Sequence, residues 1–167
     1  MSISVNDHLV KTRNQLFSTI NSLTKEELNK KPASDMWSVS QVCHHLFLAE
    51  RAFTQSIIYG LKQGISRKAD PKPIQFAADR SIKADAPDIV LPGEVSLTME
   101  QIIDELDMSR EVLLEVLSRI EDKSLLAERS AKHPLFGHLP LDQWVELIYL
   151  HEHRHIEQIE EIKLYIR

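Results

Sequence analysis

The residues from Leu141 to Arg167 contain neither glycine nor proline. A breaker-free run of that length, with apolar residues three and four apart, leaves the backbone one regular solution, an α-helix. At about 100° per residue, Trp144, Leu147, Ile148, His155, Gln158 and Ile162 fall within roughly 60° of His151. His153, Tyr149, Glu157, Glu160 and Lys163 fall on the opposite side. Two histidines one turn apart therefore stand in an apolar stripe. A buried imidazole has to find a hydrogen-bond partner or ligate something. A pair at i, i+4 can turn two ring nitrogens to one divalent ion, yet the same spacing also arises where histidines only pack. A third ligand elsewhere in the chain decides between the two readings.

Three more amphipathic runs precede this one. The first spans about Val5 to Ser22, with Val5, Leu9, Leu16, Phe17, Ile20 and Leu23 on its apolar stripe. Thr24-Lys25-Glu26-Glu27 is a capping box that opens a short helix, which Lys31-Pro32 ends. The second long helix starts at Ser38, an N-cap whose box Gln41 completes, and runs to Lys62, with Gly60 and Gly64 marking a frayed end. Its inward face is Val39, Val42, Leu46, Ala49 and Phe53. His45 sits about 60° from Val42, on the flank of that face, whereas His44 sits about 160° away, towards solvent. Periodicity thus selects His45 as the possible third ligand. Cys43, at the other margin, reads as a packed thiol.

Between Gln63 and Leu97 no period is sustained, and Pro71, Pro73, Pro87, Pro92 and Gly93 punctuate the segment. It is a long connection with one short helical turn over Ile74–Ala78. In a four-helix protein such a crossover lets the second and third long helices run parallel. Thr98-Met99-Glu100-Gln101 is a third capping box, and the helix behind it reaches Ile120 with Ile102, Leu106, Leu113, Leu117 and Ile120 inward. Ser124 to Pro140 is a second irregular segment, in which His133 and His138 read as turn or surface residues. Four long amphipathic helices without a convincing strand predict an all-α four-helix bundle, a single domain over residues 1–167.

Composition narrows the function classes. The chain has 167 residues, 43% apolar and 27% charged, which suits one globular domain with a real core. A net charge of −5 argues against nucleic acid or an anionic membrane as partner. No apolar run approaches the ~20 residues that span a bilayer. The N-terminus lacks the basic and apolar regions of a signal peptide, and the one cysteine suits a reducing cytoplasm.

Trp37-Ser38-Val39-x-x-Val42-x-x-His45-Leu46 resembles the signature that opens the second helix of DinB-like proteins. His133-Pro134-x-Phe136-Gly137-x-Leu139, then Trp144, then His151-Glu152-x-Arg154-His155-Ile156-x-Gln158-Ile159 resembles the last-helix signature of the same superfamily. That superfamily includes YfiT-like metal-dependent hydrolases and bacillithiol and mycothiol transferases. The resemblance implies an up-down-down-up bundle and one divalent ion, zinc or nickel, on His45, His151 and His155. It also implies a homodimer as a frequent state, and does not imply contact with DNA.

Three neutral imidazoles leave an ion incompletely coordinated and its charge unneutralised. Such an ion lowers the pKa of water towards neutrality or holds a thiol as thiolate. The first chemistry makes a hydrolase. The second makes an S-transferase that carries a low-molecular-weight thiol, its co-substrate, onto an electrophile. In either case the substrate is a small molecule. A metal-containing bundle that binds a ligand or partner without catalysis is the alternative. His151-Glu152-x-x-His155 also matches the zinc-peptidase motif, but the extended form requires Gly at 158 and His at 161, where this chain has Gln158 and Glu161. Glu152 is the candidate catalytic residue, placed to orient a ligand histidine or a water, against the plainer reading of a solvated glutamate. Gln41, one turn before His45, and Gln158, almost beneath His151, are candidates for contacts behind the ligands or to a substrate. Helix capping is the plainer role for Gln41, and a bundle hydrogen bond for Gln158.

Overall fold

Hydroxyl caps set where the helices start. Ser4 accepts from the Asp7 N–H and the Asp7 carboxylate reaches back to the Ser4 N–H, opening α1 (Val5–Ile20). Thr24 and Glu27 do the same for α2 (Lys25–Asn29), and Thr98 and Gln101 for α4 (Met99–Ser118). Ser38 Oγ accepts from Gln41 N and Gln41 Oε1 accepts from Ser38 N, at 3.2 and 3.0 Å, at the head of α3 (Val39–Lys62). Each box satisfies two backbone donors that the first turn leaves without partners. A short α5 (Leu125–Glu128), strands β1 (Ser130–His133) and β2 (Gly137–Pro140), and α6 (Leu141–Ile166) complete the chain. The computed structural model describes residues 4–62 and 67–167, so Gln63 and Gly64 of the expected frayed end lie outside the described residues.

Side-chain contacts fix the helix directions. His8 stacks on Tyr149, Thr12 bonds Glu152, and Lys163 bonds the Thr19 carbonyl, so α1 and α6 are parallel. Phe53 meets Trp144 while His45 meets His151, so α3 and α6 are antiparallel. His44 with Glu105 and Glu50 with Arg110 make α3 and α4 parallel. The order is up-down-down-up, with the crossover between α3 and α4. That crossover contains two 3-10 turns, Ile74–Ala78 and Asp88–Val90, the first at the position expected from sequence. It is stitched along α6 by Gln143, which exchanges two 2.8 Å bonds with the Lys72 backbone, and by Arg154, whose guanidinium bonds the Ile82 carbonyl at 2.6 Å. It then passes to α3, where Gln41 Nε2 donates to the Gly93 carbonyl at 2.7 Å.

The core is not continuous. One apolar cluster gathers Leu16, Ile20, Val42, Leu46, Leu106, Ile156 and Ile159 at one end of the bundle. A second gathers Leu9, Ile57, Leu113, Leu141, Trp144 and Ile148 at the other. Between them lies a buried charged layer, one residue from each long helix: Arg13, Glu50, Arg110 and Glu152. Arg13 bonds Glu50 and Glu152 at 2.7 and 2.6 Å, and Arg110 bonds the same pair at 2.8 and 3.0 Å. Remaining guanidinium donors go to the carbonyls of Leu106 and Leu9. Burial of four charges is tolerable because two signs balance and the donors are satisfied.

Two expectations are corrected. The segment from Ser124 to Pro140 is not irregular: it holds α5 and an antiparallel hairpin pairing Ser130 with Pro140 and His133 with Gly137, a small sheet added to the expected four-helix bundle. Gly137 at φ 73° supplies the left-handed residue the turn needs. Gly60 does not mark fraying: it lies within α3, where an added Cβ would meet Leu141 Cδ2 at 2.6 Å and the Ser130 carbonyl at 3.1 Å. Among the described residues no helix is long and apolar enough to cross a membrane.

Candidate metal centre

His45 reaches inward from α3, and His151 and His155 reach it from one face of α6. Their Nε2 atoms converge: His45 to His151 is 3.2 Å and His155 to His151 is 3.0 Å. Each ring can offer one nitrogen to a common point, all three within 4.8 Å of one another. The three residues selected by helical phase are thus brought together.

The nitrogens behind the cluster decide its chemistry. His45 Nδ1 lies 2.7 Å from the Val90 carbonyl, which only accepts, so this nitrogen carries the proton. His155 Nδ1 lies 2.7 Å from Gln158 Oε1 and donates in the same way. Both rings therefore present bare Nε2 lone pairs to His151. A single proton on His151 Nε2 could satisfy one of them and would leave the other lone pair without a donor. Protonating a further ring is opposed by burial, which lowers the pKa of all three. His155 is pushed down to about 3 by burial foremost and then by His45, His151 falls well below its ordinary value, and His45 is lowered despite its bond to Val90. One divalent cation at the focus of the three nitrogens resolves the conflict. At metal–nitrogen distances of about 2.0–2.1 Å, two imidazoles on one ion stand roughly 2.9–3.4 Å apart, the range found here. The donor set, three imidazole nitrogens, fits a divalent transition-metal ion.

The surroundings are aromatic. Trp37 leans on His45, with centroids 5.1 Å apart, and Phe53 stands edge-on to His151 at 5.6 Å. Phe53 also meets Trp144 and His133. His133, expected as a turn residue, does hold the turn: its Nδ1 accepts from the N–H groups of Leu135 and Phe136 at 3.1 and 3.3 Å. Its ring, though, packs on Trp144 and Phe136 close to the centre, and burial takes its pKa down to about 4. His138 lies on the exposed face of the hairpin.

Other candidates fall differently. Glu152 is neither solvated nor against a ligand ring; it is 2% exposed and its oxygens accept from Thr12, Arg13 and Arg110. Gln41 caps α3 and ties down the crossover. Gln158 bonds His155 rather than lying with His151, and so fixes one ligand ring. His44 is not a plain surface histidine, since its Nδ1 pairs with Glu105 at 2.8 Å. Cys43 is packed, and burial pushes its thiol up to about 12. The charged layer itself was not anticipated. Its signal was present: Arg13 stands between Leu9 and Leu16, and Arg110 between Leu106 and Leu113, at stripe positions where only a partnered charge is stable.

Fold and site define a class: up-down-down-up four-helix bundles with three convergent histidines between the second and last long helices. The chain matches the model of the DinB superfamily over residues 8–159 and belongs to that superfamily. It is 30% identical over 151 residues to the uncharacterized protein YuaE of Bacillus subtilis (strain 168), an alignment covering 90% of this chain and 92% of the relative. It is 27% identical over 147 residues to the "Putative metal-dependent hydrolase OB0413" of Oceanobacillus iheyensis, covering 88% and 76%. Among solved structures, the four-helix bundle protein TT2238 superposes with a TM-score of 0.63 at 18% identity, over 94% of this chain and 96% of that one. YfiT of Bacillus subtilis, described as "a probable metal-dependent hydrolase with an unusual four-helix bundle topology", gives 0.63 at 18% identity over 98% and 89%. At that identity the two structures speak for the fold.

Proposed function

We propose that this protein is a metal-dependent hydrolase of small molecules, with one divalent ion held by His45, His151 and His155. The observation that carries the reading is the convergence of three Nε2 atoms, two of them stripped of protons by Val90 and Gln158. An ion bound by three neutral rings would supply Lewis acidity, bringing the pKa of water towards neutrality. The chain's own residues then orient and enclose. Val90 and Gln158 lock two ring tautomers, Trp37 and Phe53 keep the rings in an apolar wall, and the crossover covers the groove between α3 and α6. A cleft of about 280 Å³, lined by Trp37, Gln41 and Leu91 with the charged Lys31, Asp35 and Glu94, lies on the far side of the indole that leans on His45.

The name of the Oceanobacillus relative supports hydrolysis over thiol transfer. The Cys43 thiol, buried and raised to about 12, is unsuited to be a nucleophile, so thiol chemistry here requires an external co-substrate. Ester and amide substrates are screened beside bacillithiol, mycothiol and glutathione with a model electrophile. Hydrolysis that disappears with chelator and in His45→Ala supports the proposal. Turnover only with an added thiol moves the assignment to S-transferase, and no metal-dependent turnover in either arm leaves a binding protein.

A further inference from the structure

Two of the three clustered histidines have protein partners on Nδ1, and His151 has none among the described residues. A ring that gives Nε2 to a metal carries its proton on Nδ1, and such an N–H almost always meets a carboxylate, a carbonyl or a water. Beside His151 there is a cavity with room for a water centre over about 10 Å³, lined by Leu46, Glu50, Phe53, Ile148, His151 and Glu152. That is the space one water needs, and three polar side chains are enough to hold it. Glu50 Oε1 accepts one bond, from Arg110, and Glu152 Oε1 accepts one, from Arg13, so each retains a lone pair.

We propose that one buried water in this cavity joins the metal centre to the charged layer, accepting from His151 Nδ1–H and donating to Glu50 and Glu152. The carboxylates that neutralise Arg13 and Arg110 then also position the third ligand ring. Glu152 becomes a positioning residue that acts through a water. This inference rests on the metal-site reading above.

Zinc affinity is measured by chelator competition, under conditions where circular dichroism shows every variant folded. His-labelled protein loaded with zinc is followed by nitrogen-15 NMR. Glu152→Gln removes a charge from the layer, so Leu46→Met is the companion variant: it extends an adaptable side chain into the cavity and leaves every charge in place. The expected result is a loss of zinc affinity of about tenfold or more in Leu46→Met, and in Glu152→Gln if it folds, the usual effect of removing support behind a ligand. The His151 Nδ1–H resonance shifts in Leu46→Met while those of His45 and His155 stay. Leu113→Met, in the far apolar cluster, serves as control and leaves both readouts unchanged. A loss under about tenfold in Leu46→Met, or an unmoved His151 resonance, overturns the proposal. Absence of zinc binding in the unaltered protein is a separate result, which overturns the metal site itself.

Discussion

His133 and His45 show how the bond at one ring nitrogen dictates the other. His45 donates from Nδ1 and so presents a bare Nε2; His133 accepts at Nδ1 from two backbone N–H groups and so keeps its proton on Nε2. Burial holds that ring neutral, with a folded-state pKa of about 4 against an ordinary 6.5. Between those values the unfolded chain takes up a proton that the folded chain does not. Stability is complete above about pH 6.5 and falls as the pH drops towards about 4, at up to ~1.4 kcal/mol per unit. In His133→Asn an amide oxygen still accepts from Leu135 and Phe136 but does not titrate. Urea unfolding in the presence of chelator, compared at about pH 7.5 and about pH 5, is expected to show a loss smaller by roughly 1–2 kcal/mol in the variant. Equal losses would mean that the ring is not held neutral. At this scale helical phase picked out His45, the histidine of α3 whose ring joins His151 and His155, because phase is a property of the backbone. It could not show that Glu152 is buried against Arg13 and Arg110 or that Gln158 bonds His155, because rotamer and neighbouring helices decide which atom a side chain reaches.

At the scale of elements, the caps were legible almost residue by residue, since a hydroxyl followed three positions later by Glu or Gln states its hydrogen bonds locally. The hairpin was not. Ser130–His133 and Gly137–Pro140 are too short to show alternation, and their pairing depends on packing under α6. Trp144 Nε1 donating to the Ala131 carbonyl at 3.2 Å is one such tie. Gly60 belongs to this packing. In an exposed helix, Gly60→Ala would stabilise by up to about 1 kcal/mol through propensity. Here the methyl group runs into Leu141, which is fully buried, and into the Ser130 carbonyl. Overpacking wins, and the variant is expected to lose about 1–3 kcal/mol in urea unfolding. A gain in stability would show that the hairpin and the head of α6 yield freely to α3.

For the whole molecule, the up-down-down-up order brings α3 beside α6 and so assembles a site from segments far apart in sequence. The long proline-punctuated connection and the family signatures made that order readable in advance. The charged layer was not read: the stripe positions of Arg13 and Arg110 mark buried charges, but which helices carry their partners has no local signature. It also ties the helices energetically. Removing one partner strands opposite charges in a buried layer, so Glu50→Ala is expected to cost about 3–5 kcal/mol, measured by chemical denaturation. A cost below about 1 kcal/mol would mean that water enters the layer and screens it.

The central claim is that His45, His151 and His155 share one ion. Its most direct test is elemental analysis of protein purified without a histidine tag, beside the three single alanine variants. About one equivalent of a divalent transition metal per chain is expected, lost in each variant. Full retention in His151→Ala and His155→Ala, or no metal in the unaltered protein even after zinc or nickel is supplied, would contradict it.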